Sequence, residues 1–176
     1  MDSSKLKQVL LNLPSNAGHA LLGSMFVPEL LKSLGFDVNE TVPGFATGNG
    51  NDAVDYAVRK STDSDIFIHT KSNPYLLLEL KSRDINLSEN SAQYRATVKQ
   101  LKRYLLAPNC ESAQWGIITN SIHIQLFRKH GRVIYPASSC LEVTPDNIDD
   151  TVAAIKVKID NTPKALTVAI VSYTVV

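Results

Sequence analysis

The first part of the chain has apolar residues at helical spacing. Residues 1–15 carry a short apolar stripe that stops at Pro14 and predicts a short helix. Residues 18–34 predict a longer helix, and Gly35 suits its C-terminal cap. Pro28 lies inside this second stripe, so we expect a kink or a new helix start there. The apolar positions of the second stripe are Leu22, Met25, Phe26, Leu30 and Leu34.

The middle of the chain changes to patterns that are typical of strands. Residues 36–42 and 53–59 predict two strands, and residues 44–52, rich in Gly and Asn, predict a loop between them. Residues 75–81 contain three consecutive leucines and predict a buried strand. Residues 65–70 predict an additional strand between them.

The second half of the chain returns to helical spacing and then alternates again. Residues 89–106 predict an amphipathic helix, and a last helix is predicted to begin near Pro145. Between them, three further strands are predicted, at residues 115–119, 123–127 and 132–135. The order of helices and strands predicts an α/β fold with a mixed central β-sheet flanked by helices.

Composition narrows the class of protein. The chain has 176 residues, 44% of them hydrophobic, and a formal net charge of +1, which fits one domain with a sizeable core and excludes a disordered chain. No apolar run approaches the ~18–20 residues that cross a bilayer, and no signal-peptide pattern is present. Two isolated cysteines, Cys110 and Cys140, are too few for a disulfide framework or a zinc site. Neither has a nearby base pattern, so we expect inert thiols. A soluble, cytoplasmic protein with no membrane partner is expected.

Charged residues in two apolar strands are the candidates for chemistry. Glu79 and Lys81 share one face at the end of the leucine-rich strand, because side chains alternate along a strand. Asp55 lies in a similarly apolar strand. Two carboxylates that converge from adjacent strands make an oxygen site for a hard cation such as Mg²⁺. A neighbouring lysine can orient a water and neutralise charge on a phosphoryl oxygen.

At these residues the chain resembles the PD-(D/E)XK nuclease superfamily. Asp55 matches the acidic residue of its first motif strand, and Glu79-Leu80-Lys81 matches the Glu-x-Lys of the next strand. Gln100 and Tyr104 match the Gln-x-x-x-Tyr helix of the RecB-like branch. The segments around residues 115–120 and 124–127 are similar to the end of the N-terminal nuclease domain of type I restriction R subunits.

The resemblance implies a restriction-endonuclease-like core and an Mg²⁺-dependent DNA endonuclease, with Mn²⁺ as a substitute. Asp55 and Glu79 would hold the metal, Lys81 would position the attacking water, and Gln100 would orient the site. Glu29 resembles the acidic residue that many members carry on the first helix, as a possible further ligand. The stretch between Asp55 and Glu79 is longer than a hairpin, so two other acids could take the role of Asp55. They are Asp63 and Asp65.

The resemblance also predicts contacts with DNA and with other proteins. Tyr104 is expected to support the site or touch the DNA backbone. Arg95, Lys99 and Lys102 form a basic stripe on the same helix, which either contacts phosphates or is an ordinary solvated face. A homodimer, or an ATPase domain or subunit, is a possible partner. The four histidines share no ligand spacing and are interpreted as structural or surface residues.

Two other functions stay open on the sequence. The first is a nuclease fold that binds DNA or regulates a larger complex with little or no turnover. The second is a structural module in which Glu79 and Lys81 are an incidental ion pair. Residues 1–160 are expected to form one nuclease-like domain with its core at about residues 18–136. Residues 161–176 are an apolar tail, an extra strand or the start of a missing fused domain.

Overall fold

The computed structural model describes residues 4–160, and the expectations for the tail at residues 161–176 lie outside the described residues. The five helices in this range are α1 (Ser4–Asn12), α2 (His19–Ser33), α3 (Phe67–Thr70), α4 (Ala92–Leu105) and α5 (Ile148–Asp160). The strands are β1 (Thr41–Ala46), β2 (Ala53–Val58), β3 (Leu76–Leu80), β4 (Trp115–Thr119), β5 (His123–His130), β6 (Val133–Pro136) and β7 (Leu141–Glu142). None of these helices is long and apolar enough to cross a membrane.

The strands form one mixed, seven-stranded sheet in the order β1-β2-β3-β4-β5-β6, and β7 pairs with the first two residues of β5. Strands β3 and β4 are parallel, whereas every other described pair is antiparallel. A parallel pair requires a crossover, and α4 supplies it between β3 and β4. The predicted α/β class with a mixed sheet flanked by helices is confirmed.

Each face of the sheet is covered by helices. One face packs against α1, α2 and α5 through a large apolar cluster that includes Leu78 and Phe26. The other face packs against α3 and α4 through a second cluster that includes Leu77 and Leu101. Strand β3 lies between two other strands and is buried along its whole length. Its alternation therefore directs one set of side chains toward α2 and the other set toward α4.

Three local predictions were wrong. Within residues 36–42, Val38–Glu40 form a 3₁₀ turn instead of a strand. Strand β1 begins at Thr41 and continues to Ala46, so it also occupies the start of the loop that was expected at residues 44–52. Residues 65–70 form the short helix α3. Its first N–H, at Phe67, donates to Ser61 Oγ at 3.0 Å. This hydrogen bond from the backbone to a side chain favours a helical turn over a strand here.

Pro28 does not divide the second helix, since α2 is continuous through it. Proline removes one backbone donor, which leaves the carbonyl of Ser24 without its helical partner. Both Ser24 and Pro28 lie on the exposed face of α2, so water can hydrate that carbonyl. The other predicted helices and strands differ from those observed mainly in their bounds.

A buried lysine closes the far end of α4. The Lys129 ammonium on β5 donates to the carbonyls of Leu105 at 2.7 Å, Cys110 at 2.8 Å and Glu111 at 3.0 Å. Burial lowers the pKa of Lys129. The three N–H donors of an ammonium match the three carbonyls, two of which end helical turns. Lys129 thus fixes α4 against the sheet.

We expect Lys129→Met to lower the free energy of unfolding by about 2 kcal/mol, because it leaves buried carbonyls without a donor. Urea unfolding followed by the fluorescence of Trp115 measures this. The matched control is Lys7→Met at an exposed position of α1, where the change should stay within ~0.5 kcal/mol. Equal effects of the two substitutions would contradict the role assigned to Lys129.

Candidate active site

The site is built where β3 ends. Glu79 is the fourth residue of β3 and is only 3% exposed, on the face that α4 covers. Lys81 follows the strand, and its N–H donates to the carbonyl of Thr119 at 2.9 Å, which extends the pairing with β4. Since a buried carboxylate is costly unless it is paired or hydrogen-bonded, the neighbours of Glu79 decide what this site can do.

Four of the predicted residues are joined in one line of hydrogen bonds. Lys81 Nζ donates to Glu79 Oε1 at 2.9 Å and to Gln100 Oε1 at 2.8 Å. Gln100 Nε2 in turn donates to the Tyr104 hydroxyl at 2.8 Å. Gln100 and Tyr104 lie one turn apart on α4, which brings them to the same face of the helix. The structure therefore brings the Glu-x-Lys strand and the Gln-x-x-x-Tyr helix together.

Glycine lets the helix come this close to the sheet. A Cβ at Gly116 of β4 would lie 2.9 Å from a methyl carbon of Leu101 and 3.1 Å from one of Leu105. Carbon atoms in ordinary contact are ~3.5–4.0 Å apart, so a larger residue here would have to displace the Leu101 and Leu105 side chains that pack α4 on the sheet. The short distance between α4 and the sheet is what allows Gln100 to reach Lys81.

Asp55 approaches the same place from the neighbouring strand. Pairing of β2 with β3 ends at Tyr56 and Leu78. Beyond that pair, Asp55 Oδ2 accepts the N–H of Leu80 at 2.8 Å, so a side chain takes the place of a ladder bond. Asp55 is close enough for its charge to act on Glu79.

Glu79 is the member of the group whose surroundings disfavour its charged form. Its Oε2 is buried and has no hydrogen-bond partner among the described residues. Burial raises the pKa of Glu79, and the nearby carboxylate of Asp55 raises it further. The Lys81 ammonium and the backbone N–H of Asp55 oppose this rise without reversing its direction. A buried oxygen without a donor, next to a second carboxylate, is a pair of oxygen groups of the kind that a hard divalent cation prefers.

His19, which the sequence predicts to be a structural or surface residue, is exposed and also contacts this site. Its Nε2 lies 3.0 Å from Asp55 Oδ1, and its side chain is 52% exposed. His19 is the first residue of α2, and the preceding loop is held by the N–H of Arg83, which donates to Ala17 O at 3.0 Å. The two partners are 36 positions apart in the sequence, so no spacing rule could have paired them.

The alternative acids lie elsewhere. Asp65 follows the other end of β2 and pairs with Arg59 at 2.7 Å, and this hydrogen bond lowers the pKa of Asp65. Asp63 is exposed in the same segment. Glu29 lines an apolar groove beside Pro43 and lies ten residues along α2 from His19, about 15 Å at 1.5 Å per residue. The geometry favours Asp55, and the role of Glu29 stays a prediction.

The basic stripe on α4 is exposed to solvent, and both cysteines lie in surroundings that disfavour a thiolate. Arg95, Lys99 and Lys102 are all exposed on α4, and the guanidinium of Arg95 donates to the carbonyl of Asn90. Burial raises the pKa of Cys110 to about 11 and that of Cys140 to about 11. Thiols with such pKa values carry little thiolate at neutral pH, in agreement with inert residues.

The site holds two carboxylates rather than a full cage. Within residues 4–160, no three side chains of His, Cys, Asp or Glu form a group that could hold a metal ion by themselves. Mg²⁺ commonly binds through one or two carboxylates and keeps several waters, so a pair is sufficient for it. No family model matches the chain, and comparison with curated proteins and with solved structures gave no match.

The raised pKa of Glu79 predicts how the metal-free protein responds to pH. A carboxyl whose pKa is higher in the folded state stabilises the fold while it is protonated, and that contribution is lost as the pH rises through the folded-state pKa. We therefore expect Glu79→Gln to melt at a higher temperature than the wild type at pH 7. This difference should shrink toward pH 4, where Glu79 is itself protonated.

Thermal melts from pH 4 to pH 8 in the presence of EDTA measure the difference. The exposed Glu142→Gln is the matched control and should follow the wild type over this range. If Glu79→Gln melts below the wild type by the same amount at every pH, Glu79 is not under the repulsion described above.

Proposed function

We propose that this protein is a divalent-metal-dependent nuclease that hydrolyses DNA phosphodiester bonds on a restriction-endonuclease-like core. The observation that carries the proposal is the hydrogen-bonded line from Glu79 through Lys81 and Gln100 to Tyr104, with Asp55 beside it. An incidental surface ion pair would be exposed and would not extend into a helix 19 residues further along the chain. The burial of Glu79 thus argues against a purely structural module.

The side chains present fit a hard cation. Asp55 and Glu79 supply carboxylate oxygens, and the unpartnered Oε2 of Glu79 needs a positive or donating neighbour. His19 Nε2, within hydrogen-bond distance of Asp55, would orient that carboxylate. When bound, Mg²⁺ would supply Lewis-acid stabilisation of the negative charge on the phosphate. Mn²⁺ prefers the same oxygen ligands and would substitute.

Lys81 carries the part of the reaction that the protein itself performs. Two of its three N–H donors are taken by Glu79 and Gln100, so one donor is left for a water or a phosphate oxygen. Its side chain is 24% exposed, which gives substrate access to that donor. In hydrolysis the water oxygen attacks phosphorus while one P–O ester bond breaks, and an ammonium at this position stabilises the charge that develops.

Gln100 and Tyr104 act through Lys81. The amide of Gln100 fixes the ammonium between strand and helix, and the buried Tyr104 hydroxyl fixes the amide in turn. Such support keeps Lys81 in one rotamer before substrate arrives, which lowers the reorganisation needed in the reaction. Neither residue needs to touch the scissile phosphate for this role.

The nuclease proposal predicts metal-dependent nicking of supercoiled plasmid DNA. We expect Lys81→Ala and Asp55→Asn to reduce the rate at least ~100-fold, because each removes a charged group from the reacting centre. Lys7→Ala removes an equal charge from an exposed position of α1 and should cut at the wild-type rate. Gel electrophoresis of the nicked form over time measures all four proteins.

A second readout separates binding from turnover. Mg²⁺ should raise the melting temperature of the wild type, because a ligand that binds only the folded state stabilises it. This rise should be smaller in Asp55→Asn. Metal stabilisation without nicking would favour a regulatory or DNA-binding module, and the loss of both would remove the nuclease proposal.

The basic stripe on α4 gives a prediction about salt. If the exposed Lys99 and Lys102 contact phosphates, the slope of log K against log salt for duplex DNA becomes shallower by ~0.9 for each lysine removed. Fluorescence anisotropy of Lys99→Gln and Lys102→Gln at several salt concentrations, without metal, measures the slopes. Slopes equal to that of the wild type would identify the stripe as an ordinary solvated face.

A further inference from the structure

A cavity lies at the end of β4 that is opposite to the candidate active site. It has a volume of ≈ 880 Å³, which is within the usual range of ligand sites. The segment that follows α4, up to Gln114, forms one wall, and the end of β5 with the turn before β6 forms the other. Strand β4 separates the cavity from Lys81, since Trp115 begins the strand beside Gln114 and Thr119 ends it beside Lys81. Four steps of a strand span about 13 Å.

The cavity wall formed by the end of β5 and the turn that follows it is strongly basic. Its five consecutive residues are Arg128, Lys129, His130, Gly131 and Arg132. The facing wall contributes a single acidic residue, Glu111. Although the whole chain has a net charge of only +1, this wall concentrates three permanent or near-permanent positive charges.

These positive charges are not neutralised by ion pairs. The three donors of Lys129 all go to carbonyl oxygens, and no carboxylate lies within salt-bridge distance of it among the described residues. Among the described residues, the side chains of His130 and Arg132 likewise make no hydrogen bond and no ion pair. Their donors are therefore available to a ligand.

Arg128 is held ready in one orientation. Its Nη1 donates to Gln114 Oε1 at 2.9 Å and to Gln114 O at 3.2 Å, and its guanidinium lies 4.9 Å from the centre of the Trp115 ring. Stacking on the Trp115 ring holds the guanidinium, and its other N–H groups have no hydrogen-bond partner among the described residues, so they remain available to a ligand. Guanidinium groups match phosphate oxygens particularly well because they can donate two parallel hydrogen bonds.

We propose that this cavity binds the phosphate group of a phosphate-bearing ligand, with Arg132 and Arg128 as its donors and the buried Lys129 as a fixed positive charge below it. The site is separate from the candidate active site and does not depend on the nuclease proposal. Two sources share the chemistry: a free nucleotide, or a backbone phosphate of a nucleic acid.

The test uses the full chain in EDTA and low salt, so that no metal-dependent cleavage interferes. ADP is titrated by calorimetry, and a 20-base-pair duplex is titrated by fluorescence anisotropy. The variant is Arg132→Gln, whose side chain makes no contact that the fold requires among the described residues. Lys7→Gln on α1 removes the same charge outside the cavity and is the matched control.

We expect Arg132→Gln to weaken binding of at least one probe about fivefold or more, while Lys7→Gln stays within about twofold. An effect on ADP identifies a free phosphate ester as the source, and an effect on the duplex alone identifies a backbone phosphate. If neither probe binds more weakly to Arg132→Gln than to Lys7→Gln, the proposal is wrong. The nuclease proposal concerns Lys81, which lies beside the opposite end of β4. Whether the protein nicks DNA therefore does not alter this result.

Discussion

The buried charge of Glu79 is the constraint around which the middle of this protein is arranged. A carboxylate on a fully buried strand is costly, and Lys81, two residues further on, offsets only part of that cost because Asp55 adds repulsion from the next strand. A fold under no other requirement would gain stability by placing leucine there, as it does at Leu77 on the same face. The retained charge is the physical basis for reading this place as a site.

The sheet topology explains how the partners of Glu79 arrive. The parallel β3–β4 pair requires a crossover, and α4, as that crossover, must pass over the face on which Glu79 points. Gly116 permits the close contact between α4 and β4, and Lys129 fixes the end of the helix. The position of Gln100 beside Lys81 is thus a consequence of backbone packing as well as of its own hydrogen bond.

The sequence was informative where a pattern is local and long. The leucine run of β3 and the amphipathic stripe of α4 are set by periodicity, and the residues Glu79, Lys81, Gln100 and Tyr104 on these two elements are joined in the structure. Helix α3 was missed because a single turn has no period, and its start depends on a side-chain acceptor.

His19 could not be found in the same way, because only tertiary packing places the start of α2 beside Asp55. The same difference separates the two ends of the sheet. The residues at the end of β3 could be singled out because they resemble a motif. The basic residues at the end of β5 and in the turn after it are an ordinary run of cations in the sequence, and only the fold places them opposite the segment that follows α4. A run of cations gains meaning when packing leaves their charge without a partner, since unpaired positive charge around a cavity favours an anion from solution. The structure thus adds candidate site residues chiefly where residues that are distant in the sequence lie close together in the fold.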